Sequence, residues 1–154
     1  MDSDVCTLFV SYAHATPNRL EVFRYIVDHI KSTANKQCHV VTDADILPGT
    51  YWRGEIIRYI QRCDVFCVLV PHDISTEIVL ECGVAVGARK PILAMVDSED
   101  VAALATYGLE HLQAIVWKNN LPEDLKIPFV NDVIAQVARV IYTTKGWKLP
   151  KDGN

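Results

Sequence analysis

The sequence lacks the features that mark nucleic-acid binders, membrane proteins and secreted proteins. Its 154 residues carry a formal net charge of −4, and lysine and arginine form no run longer than Arg89-Lys90. We therefore expect no nucleic-acid partner. No uninterrupted apolar stretch approaches the roughly 20 residues that span a bilayer, so we expect no membrane partner. The acidic start, MDSDVCTLFV, has no basic region of the kind that begins a signal peptide.

Cysteine is present, but its spacing predicts neither a disulfide framework nor a metal site. All but one of the five cysteines lie within or beside apolar runs. They are Cys6, Cys38, Cys63, Cys67 and Cys82. An odd count without paired spacing indicates reduced thiols and a cytoplasmic protein. Cys63 and Cys67 have no second Cys or His pair to complete four ligands, so we expect no metal.

What is present is an alternation of strand-like and helix-like segments. Half of the residues are apolar and 22% are charged, which fits one globular domain. Apolar and β-branched runs predict strands at residues 5–12, 39–43, 64–71, 91–96 and 113–117. Helical spacing of apolar residues predicts helices at 18–32, 53–63, 98–108 and 129–145, and around Glu81.

This alternation predicts the fold. The near-continuous apolar run DVFCVLVP at residues 64–71 is typical of a parallel strand that is buried on both faces. Successive strand–helix–strand units form parallel sheets with right-handed connections. We therefore predict an α/β fold: a single flavodoxin-like domain with a five-stranded parallel sheet and helices on both faces. The domain is expected to cover residues 1–145, with 146–154 as a C-terminal tail.

Glycine is missing from the turn where several α/β nucleotide-binding proteins require it. The turn after the first strand is SYAHATPN, whereas dinucleotide sites and phosphate-binding loops need glycines there. The spaced glycines of GVAVG lie inside a predicted helix and do not replace them. A phospho-acceptor receiver domain is also excluded, because Ser11-Tyr12 and Val70-Pro71 stand where it needs acidic residues.

One carboxylate stands out near the predicted ligand-binding edge of the sheet. Ligands of such sheets bind beyond the carboxyl ends of the strands, where Ser11-Tyr12, Asp43 and residues 71–75 should converge. Glu81 lies in the next helix among apolar residues, in STEIVLECGVAVGARKP. Glutamate is almost never fully buried without a partner. Glu81 is thus either a functional group or part of a solvent-exposed stripe beside Glu77.

Three stretches together resemble the TIR (Toll/interleukin-1 receptor-like) domain, in particular its bacterial branch. LFVSYAH resembles the opening strand, and TDADILPGTYWRGEIIRYIQRCDVFCVLV resembles the second-strand aspartate, the L-x-P-G loop and the following helix and strand. The span from Ser75 to Glu81 resembles the helix with the catalytic glutamate, although Glu77 stands where many TIR enzymes have tryptophan. The resemblance implies an enzyme that consumes NAD+ as substrate and releases nicotinamide in immune or antiviral signalling. It also implies self-association through TIR–TIR contacts.

A second resemblance covers the same helix. ExGxAxGxxKP, from Glu81 to Pro91, is similar to the nucleoside 2-deoxyribosyltransferases and related nucleotide N-glycosidases, whose nucleophilic glutamate occupies the position of Glu81. Both families act on the N-glycosidic bond of a nucleoside or nucleotide. Three hypotheses follow: an NAD+ glycohydrolase or cyclase, a deoxyribosyltransferase-like enzyme or nucleotide N-glycosidase, and a non-enzymatic TIR scaffold or adaptor.

The chemistry explains why one glutamate would suffice. Breaking the bond between a base and C1′ builds positive charge on the sugar, which a carboxylate can stabilise or bond to. No metal or cofactor is then expected, and Glu81 is the predicted catalytic residue. The predicted substrate-binding residues are Ser11, Tyr12, Asp43, Trp52, Arg53, Ser75 and Glu77.

Most of these residues, and the neighbouring Tyr51, also have a plainer interpretation. Tyr12, Tyr51 and Trp52 could stack on a base or simply pack under the loop. Arg53 could meet a phosphate or face solvent. Ser75 could touch the ribose or only cap its helix, and Asp43 could bind a hydroxyl or open a turn.

Overall fold

Five strands form one sheet in the computed structural model, which describes residues 5–13, 17–34, 36–46 and 49–148. The strands are β1 (Val5–Ser11), β2 (Gln37–Val41), β3 (Val65–Leu69), β4 (Ile92–Asp97) and β5 (Ile115–Trp117). The helices are α1 (Pro17–Ala34), α2 (Trp52–Arg62), α3 (Thr76–Gly87) and α4 (Glu123–Lys145), with 3₁₀ helices at Asp43–Asp45 and Val101–Tyr107. The strand order is β2-β1-β3-β4-β5, and every pairing is parallel. The predicted flavodoxin-like fold is confirmed.

The sheet is covered on both faces by helices. One apolar cluster joins α1 and α4 to the sheet through residues such as Leu8, Met95 and Ile141. The other joins α2 and α3 to the opposite face, where the rings of Phe9 and Phe66 stack with centroids 6.0 Å apart. All five residues of β3 are buried, as expected for a strand with apolar side chains on both sides.

The strand order places a crevice beside β1. The chain passes from β1 to β2 on one side and then returns to β3 on the other. Connections that leave in opposite directions open a crevice at the carboxyl ends of the two strands, where ligands bind in open α/β sheets. Ser11 is the last residue of β1 and pairs with Val68 of β3, so it lies at this point.

Several element bounds differ from the sequence expectation. The helix predicted at 98–108 is a 3₁₀ helix at Val101–Tyr107, and β3 and β5 are shorter than predicted. Two further differences have a physical reason. β2 begins two residues earlier than predicted and ends at Val41; it is an edge strand, and its alternating exposure weakens the apolar signal that marks strand ends. α4 begins at Glu123, whereas residues 129–145 were predicted. Pro128 lies inside this helix, and since proline usually starts or breaks a helix, its position concealed the first turns.

Trp147, just after α4, packs back on the domain. Gly146 ends α4 with φ of 70°, a conformation that glycine adopts without strain. The amide of Trp147 donates to the carbonyl of Tyr142 at 2.9 Å, and the two rings meet edge to face. The remaining predicted tail residues, 149–154, lie outside the described residues, as do residues 1–4 and Leu47-Pro48 of the L-x-P-G loop.

None of the helices in the described ranges combines the length and apolar character needed to cross a bilayer. Within the same ranges, no cluster of three or more His, Cys, Asp or Glu side chains could hold a metal ion. The five cysteines are buried free thiols.

Candidate active site

Glu81 lies on the buried face of α3. The helix buries Ile78, Glu81, Cys82 and Ala85, which are spaced three or four residues apart and therefore share one face. Only 8% of the surface of Glu81 is exposed, whereas Glu77, one turn earlier, is exposed. The alternative in which Glu81 shares a solvent-exposed stripe with Glu77 is therefore wrong.

Hydrogen bonds at Ser75 hold the start of α3, the helix that carries Glu81, in place at the edge of the sheet. Ser75 is the N-cap residue, and its Oγ accepts a hydrogen bond from the amide of Ile78 at 3.4 Å. The amide of Ser75 donates to the Oη of Tyr107 at 3.2 Å. Ser75 therefore caps the helix, which was the plainer of its two predicted roles. The Tyr107 hydroxyl holds the loop that precedes the helix.

Ser11 joins the end of β1 to the Glu81 carboxylate. Residues alternate between the two faces of a strand, so Ser11 points to the same face as Phe9, toward α3. Its side chain is buried, and its Oγ donates to Oε2 of Glu81 at 3.3 Å. The Glu81 carboxyl group is therefore buried but still accepts a hydrogen bond, which comes from Ser11 at the end of a central strand.

The surroundings of Glu81 favour its protonated form. The pKa of Glu81 is raised to about 7, chiefly by burial and to a lesser degree by the charges of Asp43 and Glu77, while the hydrogen bond from Ser11 lowers it. Desolvation and nearby like charges both disfavour an ionised carboxyl group. Near neutral pH, Glu81 thus exists in both protonation states, a property common among catalytic carboxyl groups.

A cavity of about 180 Å³ opens beside Glu81, and we call it the acidic cavity. It is lined by Val10, Ser11, Tyr12, Ala13, Asp43, Trp52, Ser75, Glu77, Ile78 and Glu81. With one exception, every side chain predicted to bind substrate lines this cavity together with Glu81. The carboxyl ends of β1 and β2, the start of α2 and the start of α3 all contribute to it.

A second cavity of about 130 Å³ also has Glu81 in its lining, and we call it the arginine cavity. It is lined by Trp52, Arg53, Ile56, Ile57, Thr76, Glu77, Leu80, Glu81 and Val84. Arg53, the exception above, lines this cavity and not the acidic one. Trp52, Glu77 and Glu81 line both, so the two cavities meet at Glu81. Tyr51 lines neither and is 81% exposed.

Asp43 is held in place by the turn that follows β2. The Oγ1 of Thr42 accepts a hydrogen bond from the amide of Ala44 at 3.2 Å, and the Asp45 carboxylate accepts one from the amide of Thr42 at 2.7 Å. This reciprocal capping box stabilises the 3₁₀ helix that begins with Asp43. The turn thereby fixes the Asp43 backbone at the edge of the acidic cavity.

Some residues of the site were not predicted. Thr42 is buried and caps the turn, Tyr107 anchors Ser75, and Thr76 and Leu80 line the arginine cavity. The capping box was visible as T-x-x-D in TDAD, because a threonine followed by an acidic residue three positions later is its signature. Tyr107 is 32 residues from Ser75 along the chain, and no local pattern indicates their contact.

Comparisons with known proteins support the fold. No family model matches the chain, so neither resemblance noted above is supported at that level, and no curated protein matches it. Among solved structures, it is similar to the CMP N-glycosidase BcmB of Clostridium botulinum, with 12% identity, a TM-score of 0.53, and coverage of 86% of this chain and 98% of that one. A 2-desoxiribosyltransferase from Leishmania mexicana overlaps less, with 15% identity, a TM-score of 0.45, and coverage of 59% and 64%. The first likeness establishes a shared fold.

Proposed function

We propose that this protein is an enzyme that cleaves the N-glycosidic bond of a nucleoside or nucleotide, with Glu81 acting at C1′ of the sugar. The observation that carries the proposal is the position of Glu81: it is buried, receives a hydrogen bond from Ser11, and lies where two cavities meet at the edge of the sheet. This edge is where open α/β sheets bind ligands. The fold shared with a CMP N-glycosidase is consistent with the proposal.

The proposed reaction uses the ionised form of Glu81. Its carboxylate oxygen attacks C1′ while the bond between C1′ and the base nitrogen breaks, and the bonding electrons leave with the base. Water, or a second base in a transferase, then attacks C1′ and releases the sugar from Glu81. A neutral base also needs a proton as it leaves, and the Asp43 and Glu77 carboxyl groups line the same cavity.

The charge of the acidic cavity favours a second candidate substrate, NAD+. Asp43, Glu77 and Glu81 all line this cavity, together with the aromatic rings of Tyr12 and Trp52. Carboxylates and aromatic faces both attract organic cations, and the nicotinamide ring of NAD+ is cationic. Nicotinamide also leaves as a neutral molecule without a proton, so Glu81 alone would suffice for that substrate.

Product analysis tests the proposal. The purified protein is incubated separately with cytidine, deoxycytidine, CMP, AMP and NAD+, and released bases and sugars are quantified by chromatography with mass spectrometry. We expect base release from at least one substrate, its loss in Glu81→Gln, and a smaller loss in Glu77→Gln than in Glu81→Gln. If the wild-type protein releases no base from any of them, or if Glu81→Gln is as active as wild type, the proposal is wrong. The remaining hypothesis is then a non-enzymatic scaffold.

A further inference from the structure

The two cavities beside Glu81 differ in charge. Among the described residues, those that line the acidic cavity include three carboxyl groups, from Asp43, Glu77 and Glu81, and no cationic side chain. The arginine cavity shares Glu77 and Glu81 but adds the guanidinium of Arg53. Arg53 is therefore the only described cation that lines either cavity. An anionic group would meet carboxyl groups without a cationic partner in the acidic cavity, whereas the arginine cavity offers it the guanidinium of Arg53.

The Arg53 side chain is available for a ligand. It forms no ion pair with any residue in the described ranges, whereas Arg58, farther along the same helix, binds Glu55 at 2.8 Å. Arg53 is the second residue of α2, so its position is fixed by the packing of α2 on α3. Guanidinium groups bind phosphate through two parallel hydrogen bonds.

The covalent structure of a nucleotide matches this arrangement. The base is attached at C1′ and the 5′-phosphate is attached through C5′ at C4′, so the sugar ring separates the two groups and they can enter different cavities. Each cavity is smaller than the roughly 300 Å³ of a typical pocket for one whole ligand, which favours a ligand that spans both. The base would then occupy the acidic cavity and the phosphate the arginine cavity.

We infer that Arg53 is a specificity-determining residue that binds the 5′-phosphate of the substrate, so that nucleoside 5′-phosphates are cleaved in preference to nucleosides. This inference rests on the proposed function. It applies to either candidate substrate class, because the nicotinamide ribose of NAD+ also carries a 5′-phosphate. Arg53 binds the phosphate and so affects substrate affinity, while Glu81 takes part in breaking the bond between C1′ and the base.

The test compares CMP with cytidine, and AMP with adenosine, in the wild type and in Arg53→Gln. We expect the wild type to prefer the phosphorylated member of a pair. In Arg53→Gln, KM for the nucleotide should rise about tenfold or more, because a charge-assisted hydrogen bond is lost, while KM for the nucleoside and kcat change little. Arg58→Gln is the matched control, since Arg58 lies outside both cavities, and it should keep the wild-type preference.

A second variant, Glu77→Gln, should change the preference for the nucleotide in the opposite direction. Glu77 lines both cavities, and its carboxylate repels a phosphate. Glu77→Gln should therefore strengthen the preference for the nucleotide, even if it slows both reactions. Preference for the nucleoside in the wild type would overturn the inference. Equal changes for nucleotide and nucleoside in Arg53→Gln would do so as well.

Failure of the proposed function would be recognised separately. If the wild type cleaves nothing, calorimetric titrations with CMP and cytidine replace the kinetics. Tighter binding of CMP that is lost in Arg53→Gln and kept in Arg58→Gln would support the phosphate site without the enzymatic activity. Equal affinities for CMP and cytidine, or no loss in Arg53→Gln, would overturn it.

Discussion

The two covered faces of the sheet contrast in what they bury. Among the described residues, the buried cluster beneath α1 and α4 consists of aliphatic side chains, Met95, cysteines and Tyr142. Within the described residues, the buried polar or charged side chains are Ser11, Thr42 and Glu81. Ser11 and Glu81 lie on the face beneath α2 and α3, and all three lie at or near the carboxyl ends of β1 and β2. The face beneath α2 and α3 therefore combines a core with the buried pair of Ser11 and Glu81, whereas the other face contributes only Val10 and Tyr12 to the lining of the acidic cavity.

The polar burial is unfavourable for folding. In the folded state, burial raises the pKa of Glu81 from 4.5 to about 7. A carboxyl group that binds its proton more tightly in the folded state makes the protein less stable once both states have lost the proton. The difference corresponds to on the order of 3 kcal/mol. Buried carboxyl groups that lower stability in this way are common at functional sites.

The largest expected change in stability comes from the face of the sheet opposite Glu81. Ile141 of α4 is fully buried beneath the sheet. Ile141→Ala should lower the free energy of unfolding by about 2 to 5 kcal/mol, because it leaves a cavity in a packed core. Base release per folded molecule should not change. Urea denaturation and initial rates at saturating substrate measure the two quantities.

Ile56 of α2 is the matched position on the other face. It is 5% exposed and lines the arginine cavity. Ile56→Ala should lower the free energy of unfolding by an amount near the lower end of the same range, because the enlarged cavity opens to water. It should also raise KM. If Ile141→Ala changes kcat/KM as much as Ile56→Ala, the two faces are not functionally distinct.

The next effect is the pH dependence of stability that Glu81 contributes. Because its folded pKa of about 7 exceeds the unfolded value of 4.5, the folded state binds more protons between these values. The contribution of Glu81 to stability is then fully present below pH 4.5 and is lost as pH rises through 7. Urea unfolding at a series of pH values should give a smaller loss in this window for Glu81→Gln than for wild type. If the free energy of unfolding changes with pH in the same way in both proteins, the pKa of Glu81 is not raised.

A smaller effect concerns the pH dependence of activity. If only ionised Glu81 attacks, kcat/KM should rise with pH to half its maximum near pH 7. Ser11→Ala removes the hydrogen bond that favours the carboxylate and should move this midpoint upward by roughly half a unit to one unit.

The smallest expected effect has the opposite sign. The charge of Glu77 helps to raise the pKa of Glu81, so Glu77→Gln should move the same midpoint downward by a few tenths of a unit. Shifts of the same sign in Ser11→Ala and Glu77→Gln would contradict this account of the site. An unchanged midpoint in both variants would mean that the titrating group is not Glu81.

The fold could be predicted from the sequence because its signals are local and repeated. The apolar run of β3 and the helical spacing in α2 and α4 each indicate an element directly. Once the strands are parallel, the convergence of Ser11, Tyr12, Asp43 and Ser75 at one edge follows from topology. Those four residues do line the acidic cavity.

The details of the site could not be predicted, because they depend on side-chain reach between distant segments. Ser11 and Glu81 are 70 residues apart, and no periodicity shows that their side chains meet. The sequence left Glu81 either buried or exposed, and only the packing of Ile78, Cys82 and Ala85 decides the matter. The division into two cavities, with Arg53 in one of them, likewise depends on how α2 packs on α3.

The most direct test of the central claim measures activity and stability together in Glu81→Gln. Glutamine keeps the size of the side chain and can accept the Ser11 hydrogen bond, but it lacks the negative charge that meets C1′. We predict that base release falls by a factor on the order of 10² to 10³ or more, while the melting temperature at pH 7 stays equal or rises. Base release at the wild-type rate, or a markedly lower melting temperature, would contradict the account and make Glu81 a structural residue.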